Sequence, residues 1–263
     1  MTRLDQVLET VLLSRESLET TMPGAFVNYD AIKKKSSVIA LASDNGVIRK
    51  TKKRKPIKAL YELLALDVWS QLLETYSEAN RLKFRAPVPR GLHQIEGDNP
   101  DLFMSYLNGY ELKKLGQLKR TTPVKIDGQE MPLPLFPACA LYLGALNAIK
   151  EAEGLYHSDY DGRHIIFSPV SNRSIGVVDV ENSRIDGVHI IQGESIASFL
   201  ELRKYAGSSS DKAVLETWYN QGREELIIPN GEPQISRVLD MVRQKYNIDF
   251  DMANRKIEGV RLI

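Results

Sequence analysis

The sequence predicts an α+β chain, with a small antiparallel sheet and one long helix in its first part and mainly helices in its second. Three observations carry that expectation. Residues 25 to 51 fall into short β-rich runs, AFVNYDAI, SVIALA and GVIRKT, with Asp44-Asn45-Gly46 as a tight-turn signal between the last two. A run opening at Pro56 then sets Leu60, Leu63, Leu64, Val68, Leu72 and Leu73 at helical spacing through about Tyr76. From Pro134 onward the apolar residues recur mostly at helical spacing, interrupted by one hairpin-like stretch before residue 180.

Composition narrows the classes. A chain of 263 residues with 43% hydrophobic residues has room for one large or two small globular domains. Its 35 basic and 34 acidic residues leave a net charge of +1, so no basic excess points to nucleic acid. The single cysteine, Cys139, excludes an internal disulfide and a cysteine-built zinc site, and its apolar surroundings make it a small buried hydrophobe. No apolar run approaches the ~20 residues that span a bilayer. The start, MTRLDQVLET, lacks the apolar core of a secretion signal, so a cytoplasmic protein is expected.

Taken in order, Leu4, Val7, Leu8, Val11 and Leu12 predict an amphipathic helix over residues 2 to 20, closed by Met22-Pro23-Gly24. The first strand turn, residues 33 to 37, is Lys-Lys-Lys-Ser-Ser. It is either a phosphate-binding set of ammonium and hydroxyl groups or a solvated basic turn. Alternation puts Ile48, Lys50 and Lys52 on one face of the third strand. Residues 50 to 58 hold six basic residues, mostly surface charge, with a nucleic-acid patch as the alternative. Glu62 falls among apolar residues early in the long helix, where a lone carboxylate costs several kcal/mol, so a partner is expected.

Residues 85 to 90 read as an extended link, followed by a strand pair at 93 to 96 and 102 to 106 around Asn99-Pro100. His93 is expected at the surface of its strand. Residues 110 to 133, with Asp127-Gly128, are expected to form a helix and a loop or hairpin. An apolar helix follows from 134 to about 152, ended by Gly154. Further helices are expected at 193 to 205, 211 to 221 and 234 to 245.

Chemistry concentrates between residues 156 and 184, YHSDYDGRHIIFSPVSNRSIGVVDVENSR. Two short apolar runs, 164 to 167 and 175 to 178, flank the turn residues 171 to 174 and predict a hairpin. Asp159 then leads into the hairpin and Asp179 leaves it, so both carboxylates come to one end of the sheet. Phosphoryl transfer needs such a pair: one to orient and deprotonate a hydroxyl, the other to hold magnesium against nucleotide phosphates.

His157-x-Asp159-x-x-x-x-His164, a hairpin and Asp179 together resemble the catalytic and metal-binding loops of the protein-kinase-like superfamily. The resemblance is to its compact atypical branch, which includes aminoglycoside and choline phosphotransferases, RIO-type kinases and lipopolysaccharide core heptose kinases. Most members have Asn at the position of His164; the heptose kinases have a similar His and a loop that resembles HSDYDGRHIIF. Val180-Glu181 stands where protein kinases have Phe-Gly, and no Ala-Pro-Glu follows, which is closer to small-molecule phosphotransferases.

The resemblance implies a bilobal protein-kinase-like fold: a helical extension at 1 to 24, an antiparallel-sheet N-lobe with one long helix at 25 to 107, and a mainly helical C-lobe at 108 to 263. It implies Asp159 as the catalytic base, with His157 bracing its loop, and Asp179, His164 and Glu181 as the metal set. Val47-Ile48-Arg49-Lys50 resembles the strand that carries the phosphate-binding lysine, so Lys50, with Lys52 second, would contact ATP and pair with Glu62. Lys35 and Ser36 fall where relatives have a glycine-rich loop. The segment 102 to 109 resembles the nucleotide-binding hinge, with Met104 beside the base and the backbone of Ser105 and Leu107 at the adenine edge.

The function so implied is transfer of the ATP γ-phosphoryl group, with Mg or Mn, to a hydroxyl of a sugar, lipid-linked saccharide, small molecule or protein. Peripheral membrane contact would follow from a lipid-linked acceptor. The alternative is a pseudokinase that serves as a nucleotide-binding or interaction module. A metal hydrolase with His157, Asp159, His164 and Asp179 as ligands is a third reading.

Overall fold

The computed structural model describes residues 6, 8–9, 11–21, 29–35, 38–43, 46–52, 56–94, 99–117, 124–126, 129–131, 135–169, 173–204, 209–258 and 260–261. The fold is mixed α+β, with small antiparallel sheets among its helices. The chain divides into two units, each discontinuous in sequence. Unit one comprises Met1–Ser70, Pro87–Leu107 and Ser236–Ile263, and unit two comprises Gln71–Ala86 and Asn108–Ile235.

Unit one is built on a five-stranded antiparallel sheet in the order β1-β2-β3-β6-β5. Its strands are β1 (Tyr29–Lys35), β2 (Val38–Ser43), β3 (Val47–Lys52), β5 (Pro89–His93) and β6 (Asp101–Ser105); β4 (Phe84–Arg85) belongs to unit two. Lys33, Lys34 and Lys35 pair with Ala40, Ile39 and Val38, so the basic residues expected in the first turn lie inside β1. Only residues 36 and 37 separate the strands. Ser36 lies outside the described residues, and Lys35 is described by its backbone alone.

β5 begins at Pro89, earlier than the strand expected from residue 93. Gly91, at φ +153°, accommodates an irregular register between Pro89 and Gly91 that carries the strand back into the supposed link. As the edge strand, β5 also tolerates a proline. The expected N-terminal helix is interrupted. Residues 6, 8, 9 and 11 are helical, Leu13 N–H donates to Leu92 O at 2.9 Å, and a second helix runs Arg15–Thr21. Ser14 starts that helix, its Oγ accepting Ser17 N–H at 3.1 Å. Leu4 and Val7 lie outside the described residues.

The long helix runs Pro56–Ala79, and every apolar residue that predicted it is buried. Its first residues share unit one with the helix Ile235–Tyr246 and the sheet β14 (Phe250–Asp251), β15 (Lys256–Ile257) and β16 (Val260–Arg261). Tyr61 meets Phe250 edge-on at 5.4 Å, and Lys245 Nζ bonds Asp67 Oδ2 at 2.6 Å.

The helix Leu135–Glu153 is the centre of unit two. It lies so close to the helix Ser209–Glu224 that a Cβ at Gly144 would strike the Tyr219 carbonyl, and one at Gly222 the Leu141 carbonyl. Such glycines allow backbones to approach where larger residues would hold them apart. Gly154, at φ +67°, ends the first helix as expected. A second sheet runs β4-β12-β11-β7, with β7 at Tyr110–Glu111, β11 at Ile165–Ser168 and β12 at Ser174–Val177. The strands β8 (Val124–Ile126) and β9 (Gln129–Met131) form the hairpin around Asp127-Gly128. The helix expected from 193 starts earlier and spans Val188–Arg203.

Candidate functional site

Two ladders frame the site in unit two. β10 (Leu155–Tyr156) pairs with β13 (Arg184–Ile185), and β11 pairs with β12 through Ile165↔Val177 and Phe167↔Ile175. The loop 157–164 and the segment after Val177 therefore both begin on one ladder and end on the other. Val178 N–H closes the frame on His164 O at 2.9 Å. The hairpin is the one the apolar runs predict, and it brings Asp159 and Asp179 to either side of one histidine.

That histidine is His164, whose side chain is only 2% exposed. Its Nδ1 lies 2.6 Å from the Asp159 carbonyl, which can only accept, so Nδ1 carries the proton. In the neutral ring Nε2 is then a lone-pair acceptor. It is buried without a hydrogen bond and lies 3.5 Å from Asp179 Oδ2. A lone pair facing a carboxylate is repulsive unless a proton or cation sits between them. The spacing suits two ligands of one divalent ion with bonds of about 2.1 Å. His164 thus bonds the loop backbone through one nitrogen and offers the other as a ligand.

Asp159, Asp161 and His164 Nδ1 also lie within 4.8 Å of one another. That side is less suited to a cation, because Nδ1 bears a proton and Arg163 already engages Asp161 through its N–H and Nε, both at 2.7 Å. Burial alone would raise the Asp161 carboxyl, but the Arg163 bonds outweigh it and hold it low. Asp159 is the open carboxylate: its side chain is 50% exposed, 3.9 Å from Arg163 Nη2.

Asp179 sits at φ 63°, ψ 46°, a left-handed conformation that Asp tolerates better than most residues. A 3-10 turn, Val180–Asn182, follows it, anchored by buried Val180, and leaves Glu181, two residues past Asp179, half-buried. His157 is fully buried, and its Nε2 donates to Val178 O at 2.9 Å. Burial, with the Lys150 charge, pushes its pKa down to about 3, so the ring is neutral at ordinary pH and braces the two segments.

Two residues that the sequence reading passed over complete the loop's support. Glu194, on the helix Val188–Arg203, accepts the His157 N–H at 3.0 Å and the Ser158 N–H at 2.7 Å, one on each oxygen. Lys150 Nζ bonds the same carboxylate at 2.8 Å. A signal existed: Leu143, Leu146 and Lys150 share one helical stripe, and a lysine on a buried stripe needs a partner as Glu62 does.

In unit one, Lys50 Nζ lies 2.6 Å from Glu62 Oε1, with side-chain exposures of 8% and 1%. The buried carboxylate has the partner its burial demands. Ile48 pairs with buried Met104 across β3 and β6. Ser105 N–H donates to Val88 O at 2.9 Å. Leu107 follows the end of β6, half-buried. Among the described residues no helix is long and apolar enough to cross a membrane.

No family model matches the chain, and no curated protein does. Solved structures do. The structure of WaaP in complex with acyl carrier protein is 15% identical, with a TM-score of 0.48, covering 90% of this chain and 97% of that one. The GDP and kanamycin complex of APH(2")-IIia is 10% identical, with a TM-score of 0.44 and 88% of each chain covered. The GDP complex of an aminoglycoside 2'-phosphotransferase-IIIa variant is 12% identical, with a TM-score of 0.43, covering 88% and 90%. No residue's role follows from them.

Proposed function

We propose that this chain is a phosphotransferase that moves the γ-phosphoryl group of ATP to an acceptor hydroxyl. The observation that supports it is the His164 ring set between two carboxylates, with Nδ1 tied to the Asp159 carbonyl and Nε2 turned to Asp179. Asp159, the exposed carboxylate, orients the acceptor hydroxyl and takes its proton. Asp179 and His164 Nε2 would hold a divalent cation, with Glu181 two residues beyond Asp179. When bound, that cation neutralises charge on the phosphoryl group in transfer. Lys50, oriented by Glu62, acts on the nucleotide phosphates. Met104 and the backbone of Ser105 and Leu107 take the base, and Lys35 and Ser36 add cationic and hydroxyl contacts. His157 stays neutral and holds the Asp159 loop to Val178. The acceptor class is a hydroxyl-bearing sugar, lipid-linked saccharide, small molecule or protein.

Nucleotide binding followed by thermal shift, and turnover of labelled ATP against a panel of sugars and the chain itself, test this reading. Asp159→Asn should lower turnover by about 10³-fold or more while nucleotide still binds, and Asp179→Asn should abolish turnover and weaken metal-dependent binding. Nucleotide binding by the unaltered chain with no turnover on any acceptor would favour a pseudokinase. Absence of nucleotide binding would overturn both.

A further inference from the structure

Beneath the loop that carries Asp159 lies a cation with no part in the chemistry above. The Lys150 side chain is 0% exposed, and its ammonium sits 2.8 Å from Glu194 Oε2 and 3.2 Å from the centroid of the Tyr160 ring. Glu194 binds the amides of the two residues before Asp159, and Tyr160 is the residue after it. We propose that Lys150 is a positioning residue for Asp159: its ammonium ties the chain on both sides of that carboxylate to one helix, without touching it.

Three features support this. Ser158 is held at φ 69°, a left-handed conformation that a serine keeps only when its surroundings over-determine it. Glu194, at 11% side-chain exposure, is the group that supplies that constraint. Its two oxygens each take one of those amides, and the Lys150 ammonium is the cation that balances its charge. Tyr160 is held by its ring, because its phenol oxygen is buried without a hydrogen bond. The cation–π contact is thus its tie to the helix. Burial draws the Lys150 pKa down to about 8 while Glu194 and Glu151 hold it up, so the ammonium persists at neutral pH.

The consequence for rate rests on the phosphotransferase reading, whereas the clamp itself does not, so the deciding measurement is amide hydrogen exchange in the full chain. Lys150→Met should raise exchange in peptides covering residues 156 to 162 by about tenfold or more, with the helix Ser209–Glu224 unchanged and Lys150→Arg intermediate. Tyr160→Leu should raise it too, and Tyr160→Phe, which keeps the ring, should not. Where transfer is measured, Lys150→Met should lower kcat by roughly 10² while KM for nucleotide stays within about threefold, the signature of a displaced base. Unaltered exchange at 156 to 162 in Lys150→Met would overturn the proposal. If that variant fails to fold, equal exchange in Tyr160→Leu and Tyr160→Phe would overturn it instead. A wild-type chain without transfer would end the phosphotransferase reading and leave exchange to decide the clamp.

Discussion

Two buried lysine–glutamate pairs, one in each unit, do different work with the same chemistry. Lys50 and Glu62 join a strand to a helix through one oxygen at 2.6 Å, side chain to side chain. Lys150 and Glu194 join two helices, but Glu194 also takes two backbone amides of the loop 157–164. Under the proposed function the first arrangement aims an ammonium; the second holds a segment of chain by its amides. A buried ion pair therefore has no function by itself, and what its remaining acceptor capacity meets decides whether it orients a cation or holds a loop.

The sharpest way to break the comparison is through activity. Lys50→Met should lower phosphoryl transfer by about 10²–10³-fold and leave exchange at residues 156 to 162 unchanged, the reverse of the pattern expected for Lys150→Met. Stability separates the pairs next. Removing one partner of either pair should cost about 3–5 kcal/mol in urea unfolding, because a buried charge is left alone. Lys50→Met with Glu62→Leu should recover most of that loss. Lys150→Met with Glu194→Leu should not, since the amides of His157 and Ser158 then lack their acceptor.

A smaller effect belongs to His157, which lies in the clamped loop. Its folded pKa is depressed from 6.5 to about 3, chiefly by burial, so below pH 6.5 the unfolded chain binds the proton first and stability falls down to about pH 3. Between pH 6.5 and 4.5 the loss is about 2 kcal/mol, and it should vanish in His157→Asn. The least effect concerns the metal. Because imidazole suits manganese better than magnesium, rates should be a few-fold higher with manganese, and His164→Asn should remove that preference.

Much of this was legible in the residues. The long helix from Pro56, the hairpin that carries Asp159 and Asp179 to one place, and the need of Glu62 for a partner follow from local periodicity and from the cost of burying charge. Lys35 was misplaced because strand ends depend on cross-strand register: three lysines look like a turn until Ala40, Ile39 and Val38 pair with them. β5 was misplaced for a similar reason, since Gly91 admits an irregularity that no alternation shows. Glu194 escaped notice because 36 residues separate it from Ser158, and no spacing rule reaches that far.

By itself the sequence determined the α+β character, the order of most elements and the residue types at the site, because these rest on short-range propensity, period and turn chemistry. Tertiary structure alone decided which nitrogen of His164 carries the proton and what Lys150 and Glu194 hold. It also decided that residues 236 to 263 fold with unit one, where Phe250 meets Tyr61 and Lys245 meets Asp67. Those outcomes depend on the direction and burial of groups distant along the chain, which exist only once the chain has closed on itself.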